Sequence, residues 1–479
     1  MNQPSRPRRA ADVSHWDIET DVLVIGLGCA GASAALEASA AGARVVVAER
    51  TGGGGGTSAV SGGVIYLGGG TPLQKACGFD DTPEDMFAYL KASCGPQADE
   101  AKLRLYCEGS VAHYEWLVGL GLPFKAVFYP HYSGEPPTDD GLVYSGSEES
   151  LPYADIAKPA PRGHVPQVPG QAGGLIMRTL MEALHATATG IMTDTLCETL
   201  VVADDGEVLG AVLRSDGEEL TVRAVAGVIL AAGGFINSKQ MVATHAPTLG
   251  RCMFRVGTEG DDGRGIRMGM GAGGLAVNMS MGSVSLPIVP PKTLLKGILV
   301  NKHGQRFINE DAYYGVLGEH VVYRQDGDAF LILDSETWER PDVPREIVGV
   351  GETATELEQA LELPAGSLEQ TIALYNRHAT DGEDPVFRKA PRWVKPLVPP
   401  FGALDCRVDT SLFAAFTLGG LATSVDGEVL DPDDATVAGL FAAGRTTACL
   451  AAPGYSSGLS IGDGTFFGRR AGRAAALRR

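Results

Sequence analysis

DVLVIGLGCAG, residues 21–31, decides the fold. The apolar, β-branched run Val22-Leu23-Val24-Ile25 has the length of a buried strand. Small and apolar positions from Ala30 to Ala41 continue it as a helix that Gly42 closes, and ARVVVA, residues 43–48, returns as a second strand ending in Glu49. Gly26, Gly28 and Gly31 thus form G-x-G-x-x-G in a strand-turn-helix setting, with an acid 18 residues beyond the last glycine. Gly26 suits the tight turn, Gly28 admits a pyrophosphate to the backbone, Gly31 lets helix and strand close together, and Glu49 is placed to accept from ribose hydroxyls. The unit reads as a dinucleotide site.

Composition agrees with a large α/β protein. The chain has 479 residues, 44% of them apolar and 20% charged, which suits an extensive core and excludes disorder. That length fits two or three domains, or one enlarged α/β unit with an insert. Its 39 Lys and Arg against 58 Asp and Glu give a net charge of −19, which argues against nucleic acid or an anionic membrane as partner. The one basic run, Arg6-Pro7-Arg8-Arg9, is short and lies on a polar leader without a signal-peptide pattern; no segment has the uninterrupted apolar length of a membrane span. A cytoplasmic protein with no integral membrane segment is expected. Cys29, Cys77, Cys94, Cys107, Cys197, Cys252, Cys406 and Cys449 are scattered, without CxxC or zinc-ligand spacing, so neither a metal nor disulfides are expected. Gly is abundant, 64 residues where about 34 would follow from average usage.

Those glycines gather where backbone must approach a ligand. Residues 52–56, then Thr57-Ser58 and Ser61-Gly62-Gly63, read as a loop that forms no helix and suits a backbone lying along a flat ring system, which favours FAD over NAD. No histidine precedes this run, so no covalent attachment is read. Residues 197–234 read as a β-meander that turns at Asp204-Asp205-Gly206 and returns in a buried parallel strand, Val228 to Ala231, ending on Gly233-Gly234 beside the dinucleotide. Near the other end, GLFAAGR (residues 439–445) reads as a strand opening onto Gly444, followed by a loop and a helix that begins near Ser460 to Asp463 and aims its positive N-terminus at the cleft. The two halves of one cofactor site therefore lie at opposite ends of the chain, with a second domain inserted between them.

Taken in order, DVLVIGLGCAGASAALEA, GGTSAVSGG, GVILAAGGF, GQRFINED, TLGGL, GLFAAGRT and GYSSGLSIGDGTFFGRRAG resemble the flavoproteins typified by soluble fumarate reductases and 3-ketosteroid dehydrogenases. The resemblance implies an α/β fold with a Rossmann-like FAD-binding domain formed from both chain ends (1–278 and 415–479) and an inserted α+β capping domain at 279–414. FAD, held non-covalently, would be contacted by Gly26, Gly28, Ala30, Gly31, Glu49, Arg50, Gly56, Thr57, Ser58, Ser61, Gly62, Gly63, Val202, Ala232, Gly233, Gly234, Gly444, Arg445, Gly458, Ser460 and Ile461.

Two stretches bear on the subfamily. In fumarate reductases an arginine follows the Arg-Phe-x-Asn-Glu motif, delivers a proton and helps hold a dicarboxylate. Here Arg306-Phe307-Ile308-Asn309-Glu310 is followed by Asp311-Ala312-Tyr313-Tyr314, with Tyr314 at the arginine's place, and ketosteroid dehydrogenases are known for a tyrosine there. A phenol is neutral at pH 7 and suits an uncharged ketone. Gly454-Tyr455-Ser456-Ser457-Gly458 is similar to the Gly-Tyr-x-Ser-Gly of the steroid 4-ene (5α) dehydrogenases, whereas the 1-dehydrogenases show a proline-containing pattern.

The resemblance thus implies dehydrogenation of a 3-oxo-5α-steroid ketone, a proton leaving carbon 4 and a hydride leaving carbon 5 for the flavin, with electrons passed to an external acceptor. Tyr455, Ser457, Tyr314 and Tyr313 are the expected proton relay. Adjacent residues point apart in an extended chain, so only one of Tyr313 and Tyr314 is expected to face the site, Tyr314 by preference. The alternatives are a 3-ketosteroid 1-dehydrogenase, a fumarate- or urocanate-type reductase and a non-enzymatic flavin subunit. His164 is read as a loop hydrogen-bonding residue, His320 as packing, Arg306 as a partner of Glu310, and residues 351–379 as ordinary amphipathic helix.

Overall fold

Alternation along the first strand sorts the molecule into two layers. Val22 and Val24 of Ile18–Ile25 enter one hydrophobic cluster, with the helices Cys29–Ala40, Glu100–Gly119, Gly173–His185 and Leu459–Leu477. Leu23 and Ile25 enter the other, shared with the meander and the inserted segment. The structure is a computed structural model that describes residues 5–131 and 136–478.

The main sheet has nine strands among the described residues, ordered Arg8–Arg9, Thr195–Val202, Val208–Ser215, Glu218–Leu230, Ile18–Ile25, Val45–Ala48 and Gly190–Met192, with Thr436–Ala442 attached to Glu218–Leu230 and Glu428–Leu430 paired in turn with Thr436–Ala442. The long strand Glu218–Leu230 joins two architectures. Its first half pairs antiparallel with Val208–Ser215, closing the expected meander, in which Gly206 makes the turn. From Val222 the strand runs parallel to Ile18–Ile25, with a register shift between Ala224 and Gly227, and from Val228 it is also parallel to Thr436–Ala442 on the other side. The first and last parts of the chain thereby become neighbours in one sheet.

Small residues set how closely the chain ends approach. Across the crossing of Cys29–Ala40 with Leu459–Leu477, a Cβ on Gly468 would stand 2.4 Å from the Ala30 carbonyl oxygen, and one on Gly472 2.1 Å from that of Ala34. Any larger residue would push the helices apart.

Between residues 298 and 405 lies an antiparallel sheet ordered Ile298–Asn301, Ala329–Asp334, Phe401–Asp405, Ile347–Gly351. Leu299, Leu331, Leu333 and Leu404 face the cluster shared with the main sheet; Ile298, Val300, Phe330, Ile332 and Phe401 face the helices Ala354–Ala360 and Ser367–Ala379. Those two helices replace the single run expected from their leucine spacing. Pro364 lacks a backbone donor and Gly366, at φ 78°, opens the second helix, so residues 361–366 break the run.

A buried four-charge cluster holds this sheet. Arg306 Nη2 lies 2.9 Å from Glu310 Oε2 and 2.9 Å from Asp384 Oδ2, Lys389 Nζ lies 2.8 Å from Glu310 Oε2, and the Leu299 amide donates to Glu310 at 2.8 Å. Burial pushes the Glu310 carboxyl up, but Arg306 and Lys389 outweigh it and hold the group below its ordinary value. Glu310→Ala leaves two buried cations beside one carboxylate, and a loss of about 3–5 kcal/mol is expected, measured as a lower urea midpoint.

Candidate functional site

Three turns meet at the carboxyl ends of the central strands. Gly26 has φ 100°, and a Cβ there would stand 2.5 Å from the Ala231 carbonyl oxygen, so the turn after the first strand rests directly on the one after Glu218–Leu230. Gly31 is as tightly placed, 2.0 Å from the Gly26 oxygen by the same measure. Gly28 opens the first helix without a side-chain cap, and the Cys29 amide donates to Ser58 Oγ at 3.2 Å. Ala30 lies beneath Gly444, where a Cβ would meet it at 2.8 Å. The Glu49 carboxylate is buried at this end, accepting from the Leu27 amide at 2.8 Å and the Thr51 amide at 2.9 Å.

Asp261 ties the turns together, and sequence reasoning missed it. Only 2% exposed, it accepts from the Gly234 amide (2.9 Å) on Oδ1 and from Thr57 Oγ1 (2.6 Å) and Arg445 Nη2 (2.7 Å) on Oδ2. One carboxylate thus joins the loop of residues 52–63, the turn of 232–234 and the end of the strand Thr436–Ala442. Thr446 Oγ1 adds a bond to the Gly233 carbonyl at 3.2 Å. Burial opposes the Arg445 charge, but Asp261 holds the guanidinium above its ordinary pKa, and it lies 5.5 Å from the Phe416 ring centre. The only sequence signal was an Asp-Asp pair in the glycine-rich run 257–265.

The loop after Thr57 differs from expectation in one respect: Gly56–Ala59 forms a helical turn, because Gly55, at φ 115°, opens it. Ser61 Oγ donates back to the Ser58 carbonyl, and Gly62 and Gly63 lie against Ala172 and Gly173. Arg50 is tied at the surface to Asp262 at 3.0 Å, and Ala232 lies against Gly265. Val202 is not brought to this place. The Thr195 amide donates to the Glu49 carbonyl, but Val202 ends that strand paired with Arg9, about 23 Å along at ~3.3 Å per residue.

The last helix starts at Leu459 behind Gly458, whose φ of 98° and close contact with the Tyr66 amide leave no room for a side chain. Tyr455 folds back so that its Oη accepts from the Ser460 amide at 3.1 Å. Burial pushes this phenol up to about 12, with the Ser460 bond pulling the other way. The Ser457 amide donates to the Ser145 carbonyl at 2.9 Å, while its half-buried hydroxyl makes no hydrogen bond to a described residue. The Ser460 hydroxyl is buried with no hydrogen bond of good geometry to a described residue, and Ile461 is buried beside it.

Tyr313 and Tyr314 do not point apart. Tyr313 caps the helix Tyr314–Glu319 and Tyr314 is its first residue, so the segment is not extended and the rings lie side by side, centroids 4.2 Å apart at 41°. Tyr313 is buried; Tyr314 is half-buried and near enough that its ionisation would raise the Tyr455 phenol further.

The residues read as bland are so placed. His164 is buried between Thr71 Oγ1 (2.8 Å) and the Arg162 carbonyl (3.1 Å), its pKa pushed down to about 4 by burial. Arg306 is consumed by Glu310 and Asp384. His320 begins a π-helical turn in the inserted segment, also pushed down to about 4 by burial.

Two helix N-termini without side-chain caps, glycine turns with no space for a Cβ and an unpaired serine hydroxyl make a cradle that fits a dinucleotide. A family model for the FAD binding domain matches residues 21–460, and the chain belongs to that family of FAD-dependent oxidoreductases. The solved 3-ketosteroid-delta4-(5alpha)-dehydrogenase from Rhodococcus jostii RHA1 shares 46% identity over 98% of this chain and 99% of that one, with a TM-score of 0.93. The 3-oxo-5-alpha-steroid 4-dehydrogenase of Comamonas testosteroni is 29% identical over 91% of this chain and 94% of its own length. A 3-ketosteroid delta1-dehydrogenase structure from Sterolibacterium denitrificans, 23% identical over 96% of this chain and all of that one, shares the fold at a TM-score of 0.72.

Replacing Asp261 by alanine would leave Arg445 buried and unpaired and release three turns at once. The purified Asp261→Ala protein is expected to retain FAD at least about tenfold more weakly, measured by titrating the deflavinated protein and following flavin fluorescence.

Proposed function

We propose that this enzyme dehydrogenates 3-oxo-5α-steroids, introducing a double bond between carbons 4 and 5. The observation that carries the reading is the neutral set of hydroxyls at the head of the last helix: Tyr455 on the Ser460 amide, the unshared Ser457 hydroxyl, and Tyr314 beside them. A carboxylate substrate needs a free cation; here the motif arginine, Arg306, is committed to Glu310 and Asp384, and His164 is neutral and bonded. The Rhodococcus jostii enzyme, described in complex with 4-androstene-3,17-dione, supports the same substrate class.

The chain's own groups have the required properties. Because Tyr455 Oη accepts from the Ser460 amide, its proton is left to donate towards a ketone oxygen gaining enolate character. Ser457 and Tyr314 extend a hydroxyl relay by which the carbon-4 proton leaves without a buried carboxylate. FAD, when bound, supplies the two-electron acceptor for the hydrogen lost from carbon 5. Residues 279–414 act as the cap over this site, and turnover uses an external electron acceptor. No helix among the described residues is long and apolar enough to cross a membrane; the eight cysteines are free thiols, which suits action in the reducing cytoplasm.

Anaerobic mixing of the flavin-loaded protein with 5α-androstane-3,17-dione, androst-4-ene-3,17-dione and fumarate separates the readings. Fast flavin bleaching by the saturated ketone alone is expected; bleaching by the 4-ene alone would assign a 1-dehydrogenase, and fumarate re-oxidation of the dithionite-reduced protein a reductase. Tyr455→Phe and Ser457→Ala are each expected to keep FAD and slow bleaching about 10²-fold or more; full rates in both would remove the relay.

A further inference from the structure

One buried segment joins the two groups of hydroxyls. Residues 145–151 touch the loop of residues 454–458 on one side, where the Ser145 carbonyl accepts from the Ser457 amide and Gly146 is packed against Ser456 Oγ. On the other side they touch the inserted segment: Ser147 Oγ accepts from the Tyr313 amide at 3.0 Å, Ser150 Oγ donates to the Asp311 carbonyl at 2.8 Å, and Asn309 Nδ2 donates to the Leu151 carbonyl at 3.0 Å. In the middle of this strap is Glu148, 1% exposed. Its Oε2 accepts from the Gly146 amide and its Oε1 from Tyr66 Oη, each at 2.9 Å, and the Tyr66 amide in turn donates to the Gly458 carbonyl. We propose that Glu148 is a positioning residue for the reaction: held ionised by these two donors, it fixes the strap and so aligns Tyr313 and Tyr314 with Tyr455 and Ser457.

The proposal rests on the functional reading above only for what the aligned residues do. Both donors offer hydrogens, so the carboxylate satisfies them as they stand, whereas a carboxylic acid keeps both only if the Tyr66 hydroxyl turns round to accept from it. Around Glu148 stand Tyr66, Tyr89 from the helix Pro83–Ser93, Tyr144 and Glu149 on its own segment, and Arg162, whose Nε and Nη2 are taken by Asp81 at 3.0 and 2.7 Å. Burial pushes the Glu148 carboxyl up to about 7, with Arg162, Tyr66 and the Gly146 amide restraining the rise. The Tyr66 bond is therefore reversed or broken in a growing share of molecules as the pH falls through neutrality.

The test uses the flavin-loaded full chain, with Glu148→Gln and Tyr66→Phe. In the parent, steroid-driven bleaching is expected to slow as pH drops below about 7, the value for Glu148. Glu148→Gln should be about tenfold slower at high pH and lack that inflection, since its amide does not titrate and must turn the Tyr66 hydroxyl round. Tyr66→Phe removes a bond that favours the charged form, so the inflection should move to higher pH. A parent-like profile in both variants would overturn the proposal, as would an inflection that persists in Glu148→Gln. Hydrogen exchange at the Tyr313 and Ser457 amides, corrected for its chemical rate, should be faster below neutrality than above it in the parent and unresponsive in Glu148→Gln. If no steroid bleaches the parent, the functional reading fails while the exchange measurement still decides the role of Glu148.

Discussion

The close crossing of the first and last helices is the constraint on which the site depends. Each helix brings its N-terminus to one part of the cradle, Gly28 with Cys29 on one and Gly458 with Ser460 on the other. Their separation is fixed by Ala30 and Ala34 against Gly468 and Gly472. A methyl group added on the glycine side has nowhere to go except into a backbone oxygen, so a displaced last helix would carry away the Ser460 amide and, with it, the phenol of Tyr455.

Buried charge serves the same end. Asp261 with Arg445, Asp81 with Arg162, and Glu310 with Arg306, Lys389 and Asp384 are each closed against water and against one another's partners. Such groups add little net stability over apolar packing, but only a narrow range of backbone arrangements satisfies them. They stand where segments distant in sequence must meet: three turns at Asp261, and residues 306–310 with 384–389 at Glu310. With these cations neutralised in place, the head of the last helix is left to the hydroxyls of Tyr455, Ser457 and Ser460.

Sequence periodicity made the frame legible because it records burial. Residues 22–25, 43–48 and 228–231 alternate or run apolar according to the faces they cover, and glycines 26 and 31 mark a turn whose sterics admit no other residue. The helix break at Pro364 and Gly366 was visible as composition but outweighed by leucine spacing. Asp261 and Glu148 were illegible for a physical reason: what makes them important is burial against donors brought in by the tertiary fold, from three segments at Asp261 and from distant Tyr66 at Glu148, which no local pattern encodes. Tyr313 and Tyr314 were misjudged because their geometry is set by a helix start that needs the tertiary bond from Tyr313 to Ser147. Val202 was placed by family likeness alone, and strand length carries it away.

The pairing of Thr436–Ala442 with Glu218–Leu230, and of the last helix with the first, has a consequence for biogenesis. A ribosome adding about 5–20 residues per second needs tens of seconds to deliver the residues that cover the helix Cys29–Ala40. Throughout that interval the small-residue face of that helix has no mate, so the nascent chain waits with an open seam until Leu459–Leu477 arrives.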